Sequence, residues 1–374
     1  MRKLFPVMEV GSLNKAPFIT KDGVKAAQRA ERWGKLLEVE DYQKLVSALK
    51  ENRLTDSEKV DWACLYGLRF FEKAGLDVVY DGEQRRMEMY EYPLQYVEGF
   101  EFRGVVRVWD NEYYKKAAVV DKPHLRKTYH VDELLFNKKH ARKPLKVPVT
   151  AAYTLADWSF DEYYLKKAAG DSWVEKHVSA RREFVHDLVK EVVRPVASAL
   201  ASQAADYVQL DEPAAAAKPY ESELVVESLN ETVKGLGCKV AVHICYTDYQ
   251  ALFPALLELK ADVLSISCSN ADTPSLGTGP EKRPGFNVLK IFREYSVPFK
   301  IAPGVIDVHT DFIESPELVR DRLLHAASLM GDPGKIVACN DCGLRTRSWD
   351  VAFQKQVNLV EGAELARQAF GQRG

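Results

Sequence analysis

The sequence predicts an α/β protein of the (β/α)8 TIM-barrel class, and three observations lead there. The chain has 374 residues, enough for one large barrel with insertions or for two domains. Eight short β-rich runs alternate with longer segments of helical periodicity from end to end. Nearly every run also ends in a residue able to do chemistry, and barrels of this class assemble their sites at the C-terminal ends of strands.

Taken in order, the runs are "VMEVGS", "DVVYDGE", "VPVTAAYT", "YVQLDEP", "KVAVHIC", "DVLSISC", "FKIAPGVID" and "KIVACNDC". They lead to Gly11–Ser12, Glu83, Thr154, Asp211–Glu212, His243 with Cys245, Cys268, Asp307–His309 and Asp341–Cys342. Between them, "ARREFVHDLVKEVVRPVASALASQAAD" places Phe184, Leu188 and Val192 on one helical face, and Pro195 should kink or break that helix. In "SPELVRDRLLHAASLMG", Ser315 reads as an N-cap, Glu317 lies in the first turn and Gly331 ends the helix. The stretch "GFEFRGVVRVWDNEYYKKAAVVD" alternates at period two and predicts a β-hairpin or meander, inserted at about residues 100–147. With no low-complexity linker and no short repeat, a single decorated barrel over residues 1–374 is the preferred reading. Two domains are the alternative, since residues 1–150 are the more irregular.

A net charge of −2 gives no electrostatic reason to expect nucleic acid or an anionic membrane as partner. No apolar run reaches the length of a membrane span, and Pro6 and Glu9 interrupt the N-terminal stretch, unlike a signal peptide. A cytoplasmic location is therefore expected. The six cysteines are sparse in so long a chain, which favours thiolate chemistry over a disulfide framework.

In "VAVHICYTDY", residues 240–249, His243 and Cys245 stand two apart, so on a strand they share a face. One reading is a buried thiol beside a hydrogen-bonded histidine. The other is a pair of zinc ligands, with Cys342 as a third. Three protein ligands with an open fourth position suit a catalytic zinc that activates a substrate thiol. Cys339 and Cys342 also form a C-x-x-C, which fits packed thiols or a redox pair.

Along most of its length the chain resembles the catalytic C-terminal half of cobalamin-independent methionine synthase, in the superfamily of uroporphyrinogen decarboxylase. "EVGS", "DGEQRR", "TAAYTLADWSF", "QLDEPA", "HICY", "GVIDVHT" and "NDCGLRTR" match that family's motifs in the same order. The resemblance implies zinc at His243, Cys245 and Cys342. It implies homocysteine held by its amino group at Glu83 and Asp211 and by its carboxylate near Gly11 and Ser12. Trp158 matches an aromatic residue near the methyl donor. His309, with Asp307 beside it, matches a histidine that relays a proton.

This sequence departs from the family at three points. Ser267 stands where the family has a glutamate zinc ligand, which leaves the fourth ligand open with Cys268 as a candidate. The family's full-length enzymes carry a large N-terminal half that these residues do not include. The donor region is also altered, to Thr150-Ala151-Ala152 and "AAAKPYE". The last two make a methylcorrinoid, free or held by a corrinoid protein, the expected methyl donor. Methyltetrahydrofolate is the alternative donor, and an epoxide:coenzyme M transferase is the alternative activity. A third reading is a non-catalytic, metal-holding barrel that docks partners through residues 108–130.

Overall fold

The computed structural model describes residues 3–107 and 113–371. Its strands are β1 (Val97–Arg107), β2 (Tyr113–Leu125), β3 (Lys146–Thr150), β4 (Phe160–Asp161), β5 (Tyr207–Asp211), β6 (Lys239–Ile244), β7 (Val263–Ile266), β8 (Lys300–Ile306) and β9 (Cys339–Asn340). Six of them pair in the order β3-β5-β6-β7-β8-β9. Parallel bridges extend this order, from Ala338 to Val7, from Met8 to Val78 and from Val79 to Leu145. The eight β-rich runs thus pair as chain-order neighbours, which is the pairing of an eight-stranded parallel barrel. The strand cores are almost fully buried, with β3 and β7 buried at every residue. Such near-continuous Val/Ile/Leu runs are what a parallel sheet covered on both faces requires.

By its contacts the chain divides into two compact units. One comprises Met1–Arg85, Leu135–Lys146 and Ser265–Gly374. Its outer layer is held by an aromatic cluster in which Phe353 and Trp349 each pack edge-on against both Trp33 and Phe70. The helix Pro316–Met330 has the ends its sequence predicts: the Ser315 hydroxyl accepts the Leu318 N–H, and Gly331 closes it at φ +70°.

The other unit comprises Arg86–Leu134 and Val147–Leu264. It contains the expected hairpin: β1 and β2 run antiparallel from Val97↔Leu125 to Arg107↔Tyr113, with register shifts between Glu98 and Phe100 and between Phe102 and Gly104. Residues 108–112, part of that expected insertion, lie outside the described residues. The insertion is not β-structure throughout, because Val131–His140 is a helix that the charged, Leu-containing "VDELLFNKKH" favours. Pro195 does not break its helix. A π turn over Val189–Val193 absorbs the lost hydrogen bond, and the α-helix resumes over Arg194–Ser202. No helix among the described residues is long and apolar enough to cross a membrane.

Candidate functional site

β6 presents Val240, Val242 and Ile244 to one side and His243 to the other, by simple strand alternation. His243 lies opposite Asp211 of β5, and its carbonyl accepts the Glu212 N–H at 2.8 Å. One ring nitrogen of His243 and the sulfurs of Cys245 and Cys342 all lie within 4.8 Å of one another. Ligands around zinc, with bonds of about 2.0–2.3 Å, stand roughly 3.5 Å apart, so this is nearly the spacing required. One imidazole and two thiols are also the donors zinc prefers. The residues fit the metal.

Ser267, at the position of the expected glutamate, bonds to the residue before Cys342. Ser267 donates its hydroxyl to the Asp341 carbonyl at 3.1 Å. The buried Asp341 carboxylate accepts the amides of Cys268, Ser269 and Asn270 at 2.7, 2.9 and 2.7 Å and the Ser269 hydroxyl at 2.6 Å. Burial pushes the Asp341 carboxyl up to about 7, against hydrogen bonds that favour its ionised form. Cys268, a candidate fourth ligand from sequence, does not join the cluster of His243, Cys245 and Cys342. Its backbone is tied to Asp341, and burial, with Asp341 and Asp272 nearby, raises its thiol well above the ordinary range. Cys339 is likewise a buried thiol, pushed up to about 12 chiefly by burial, and no disulfide joins it to Cys342.

In the first unit, three loops converge on one another. Leu13 takes the Gly82 carbonyl, and Leu344 takes the Ser12 carbonyl at 2.7 Å. A side chain at Gly343 would crowd this contact, its Cβ 2.1 Å from the Ser12 hydroxyl, which would have to turn away, and 3.2 Å from Ser12 Cβ. Glu83 is half-buried and held at φ +57°, its N–H donating to Asp81 at 2.8 Å. A non-glycine residue keeps such a backbone only where its surroundings impose it. Here Lys15 contributes, donating to the carbonyls of Glu83 and Gln84 at 3.1 and 2.7 Å. Burial, then Arg345, lowers the Lys15 ammonium to about 8. Sequence reasoning passed over Lys15, since one lysine in a loop carries no pattern.

In the second unit, Asp211 ends β5 half-buried and accepts the Gln209 amide at 2.7 Å. Beside it Glu212 is fully buried, and burial pushes its carboxyl up to about 8. The Thr154 hydroxyl donates to Glu212. Thr154 therefore does not end a strand, as its run suggested. β3 stops at Thr150, and Thr154 sits in the short helix Ala152–Asp157. Trp158 caps that helix and stacks on Tyr114 of β2, with centroids 5.4 Å apart. The remaining expected residues lie beyond β8, where the Asp307 carboxylate accepts the backbone N–H of solvent-exposed His309 at 2.9 Å.

Residues 38–365 match the family described as cobalamin-independent synthase, catalytic domain. A methionine synthase of Thermoplasma volcanium is 36% identical over 329 residues, covering 86% of this chain and 91% of that protein. One of Pyrococcus furiosus is 34% identical over 318 residues, covering 85% of each. Among solved structures, a B12-independent methionine synthase from Shewanella sp. W3-18-1 in complex with selenomethionine matches with a TM-score of 0.75 at 24% identity. That match covers 98% of this chain and 99% of the other. It shows the fold, and the barrel class expected from the sequence holds.

Proposed function

Because the chain belongs to the cobalamin-independent synthase catalytic-domain family, and so is a methyltransferase of the methionine synthase kind, we propose that it methylates the thiol of homocysteine. The product is methionine. The observation that carries this reading is the gathering of His243, Cys245 and Cys342 into one nitrogen-and-sulfur cluster. Zinc bound there supplies a lowered pKa to a coordinating thiol, which makes the sulfur nucleophilic at neutral pH.

The chain's own residues then bind and orient. Glu83 and Asp211 pair with the substrate ammonium, as carboxylates do with a charged donor. The backbone at Gly11 and Ser12 takes the carboxylate. Trp158 lies on the donor's side. The sulfur attacks the methyl carbon in line, a carbon–sulfur bond forms, and the donor's bond to that carbon breaks with its electron pair. His309, held beside Asp307, passes a proton to the leaving group.

The family description corrects the expected donor. A cobalamin-independent synthase does not need a corrinoid, so the methylcorrinoid and a corrinoid-protein partner lose their ground. With the corrinoid set aside, methyltetrahydrofolate, the alternative read from the sequence, is the donor we propose. The relatives named above are methionine synthases, which favours homocysteine over coenzyme M as acceptor. The test gives the zinc-loaded protein homocysteine with methyltetrahydrofolate or with methylcobalamin, in separate reactions. Methionine from the folate is the expected result. Methionine from methylcobalamin alone would reinstate the corrinoid, and none from either donor would overturn homocysteine methylation.

A further inference from the structure

The loop from Asp307 to Glu314 is largely open to solvent, with Thr310, Asp311, Phe312 and Ile313 making few buried contacts. Its two ends nonetheless converge on a single buried cation. Lys355, fully buried on the C-terminal helix Trp349–Ala369, donates to the Asp307 carbonyl at 2.8 Å, to the Phe312 carbonyl, and to Glu314 Oε2 at 2.8 Å. The other oxygen of Glu314 accepts the Asp307 N–H at 2.8 Å. Glu314 is itself fully buried, and its backbone carbonyl accepts from Asn358 at 2.7 Å. Asp307 is thus gripped at both its N–H and its C=O, and its carboxylate is free to turn toward the His309 N–H.

A buried lysine with three acceptors costs much desolvation, and such groups persist where they fix one geometry. Replacing the pair by apolar side chains would fill the same space, yet leave two loop carbonyls and one amide of Asp307 and Phe312 unheld. We propose that Lys355 and Glu314 are positioning residues for the methyl transfer, clamping the Asp307–Glu314 loop so that His309 is presented at a fixed place. This rests on the role given to His309 above.

The experiment uses the full-length, zinc-loaded protein and four forms: wild type, His309→Gln, Lys355→Met with Glu314→Gln, and all three changes together. The paired change removes both members of the ion pair; Arg322, 3.6 Å from Glu314, keeps Asp272 at 2.9 Å, which it shares with Arg283, and urea unfolding checks that the paired variant is folded before its kinetics are read. Amide exchange across residues 308–313 should quicken at least about tenfold in the paired variant, reflecting easier local opening. Its kcat should fall about tenfold while KM for homocysteine stays within about twofold, the pattern of a lost transition-state contact. Adding His309→Gln to the paired variant should lower kcat little further, because both changes remove the same function. A paired variant with unchanged kcat beside an impaired His309→Gln enzyme overturns the clamp alone, as do losses that multiply. A fully active His309→Gln enzyme overturns the His309 reading, and the clamp with it.

Discussion

Ser267 donates its hydroxyl to the carbonyl of Asp341 at 3.1 Å, one residue before Cys342. The position just past β7 at which the family resemblance implies a glutamate is here part of the scaffold behind Cys342. The adjacent turn closes on the Asp341 side chain through four hydrogen bonds.

Asp341→Asn should therefore be costly despite its near-identical shape. An amide nitrogen would face main-chain N–H groups that now meet an acceptor, at a cost of roughly 2–4 kcal/mol. Ser267→Ala removes one hydrogen bond and should cost about 1 kcal/mol. Urea unfolding of both variants checks this, and an Asp341→Asn protein within about 0.5 kcal/mol of wild type would contradict it.

The two cysteines near this turn should behave oppositely toward metal. Cys342→Ser should leave the protein without stoichiometric zinc after dialysis, because one of three donors is gone. Cys268→Ser should keep its zinc, since that thiol lies outside the cluster. Metal analysis of the two purified variants decides the matter, and the reverse pattern would exclude the ligand set argued here.

Glu83→Gln and Asp211→Asn each replace a carboxylate proposed to meet the substrate ammonium. Hydrogen bonds to a charged group contribute about 1.5–3 kcal/mol, so KM for homocysteine should rise roughly 10- to 150-fold. The effect on kcat should be smaller. Steady-state kinetics on both variants provides the check, and an unchanged KM would remove these residues from the substrate site.

A fourth expectation concerns pH and a buried triad in the second unit. Arg86 donates to Glu133 at 3.0 Å, and the His130 ring lies 3.1 Å from the same carboxylate through Nδ1. Burial and then Arg86 push His130 down from 6.5 to about 4. Burial opposes the charge on Glu133, but Arg86 and His130 outweigh it and hold that carboxyl well below the usual range. As the pH falls below 6.5, the unfolded chain takes up a proton at His130 that the native state refuses. Stability is thus full above that pH and declines toward 4, by about 2 kcal/mol between pH 7 and pH 5. His130→Asn, whose side chain tolerates the φ of +67° at this position, should lose this part of the slope. Unfolding of both proteins at the two pH values measures it, and parallel losses would refute the assignment.

Much of the site was legible from local pattern. Cys245 falls just past the last residue of β6, Ile244, but the face that His243 takes follows from strand alternation, which short-range sequence encodes directly. The same holds for the caps at Ser315 and Gly331 and for the β1–β2 hairpin. Less legible were features where a short run ends earlier than its hydrophobicity implies, as at Thr150, where the chain turns into a helix and takes Thr154 with it. The π turn before Pro195 belongs to the same class, since proline announces a disruption but not how neighbouring turns absorb it.

By itself the sequence determined the alternation of strands and helices, the chemistry carried near most strand ends, and so the barrel class and the family. The tertiary structure alone decided which of those ends serve one another. It brought Cys342 to His243 and Cys245, left Cys268 aside, and spent Ser267 on holding Asp341. It also buried Lys355 beneath the loop that bears His309. The reason is physical: periodicity records which face a residue occupies within its own element. Which distant groups share a hydrogen bond or a metal depends on pairing and packing across the whole chain, which no local pattern records.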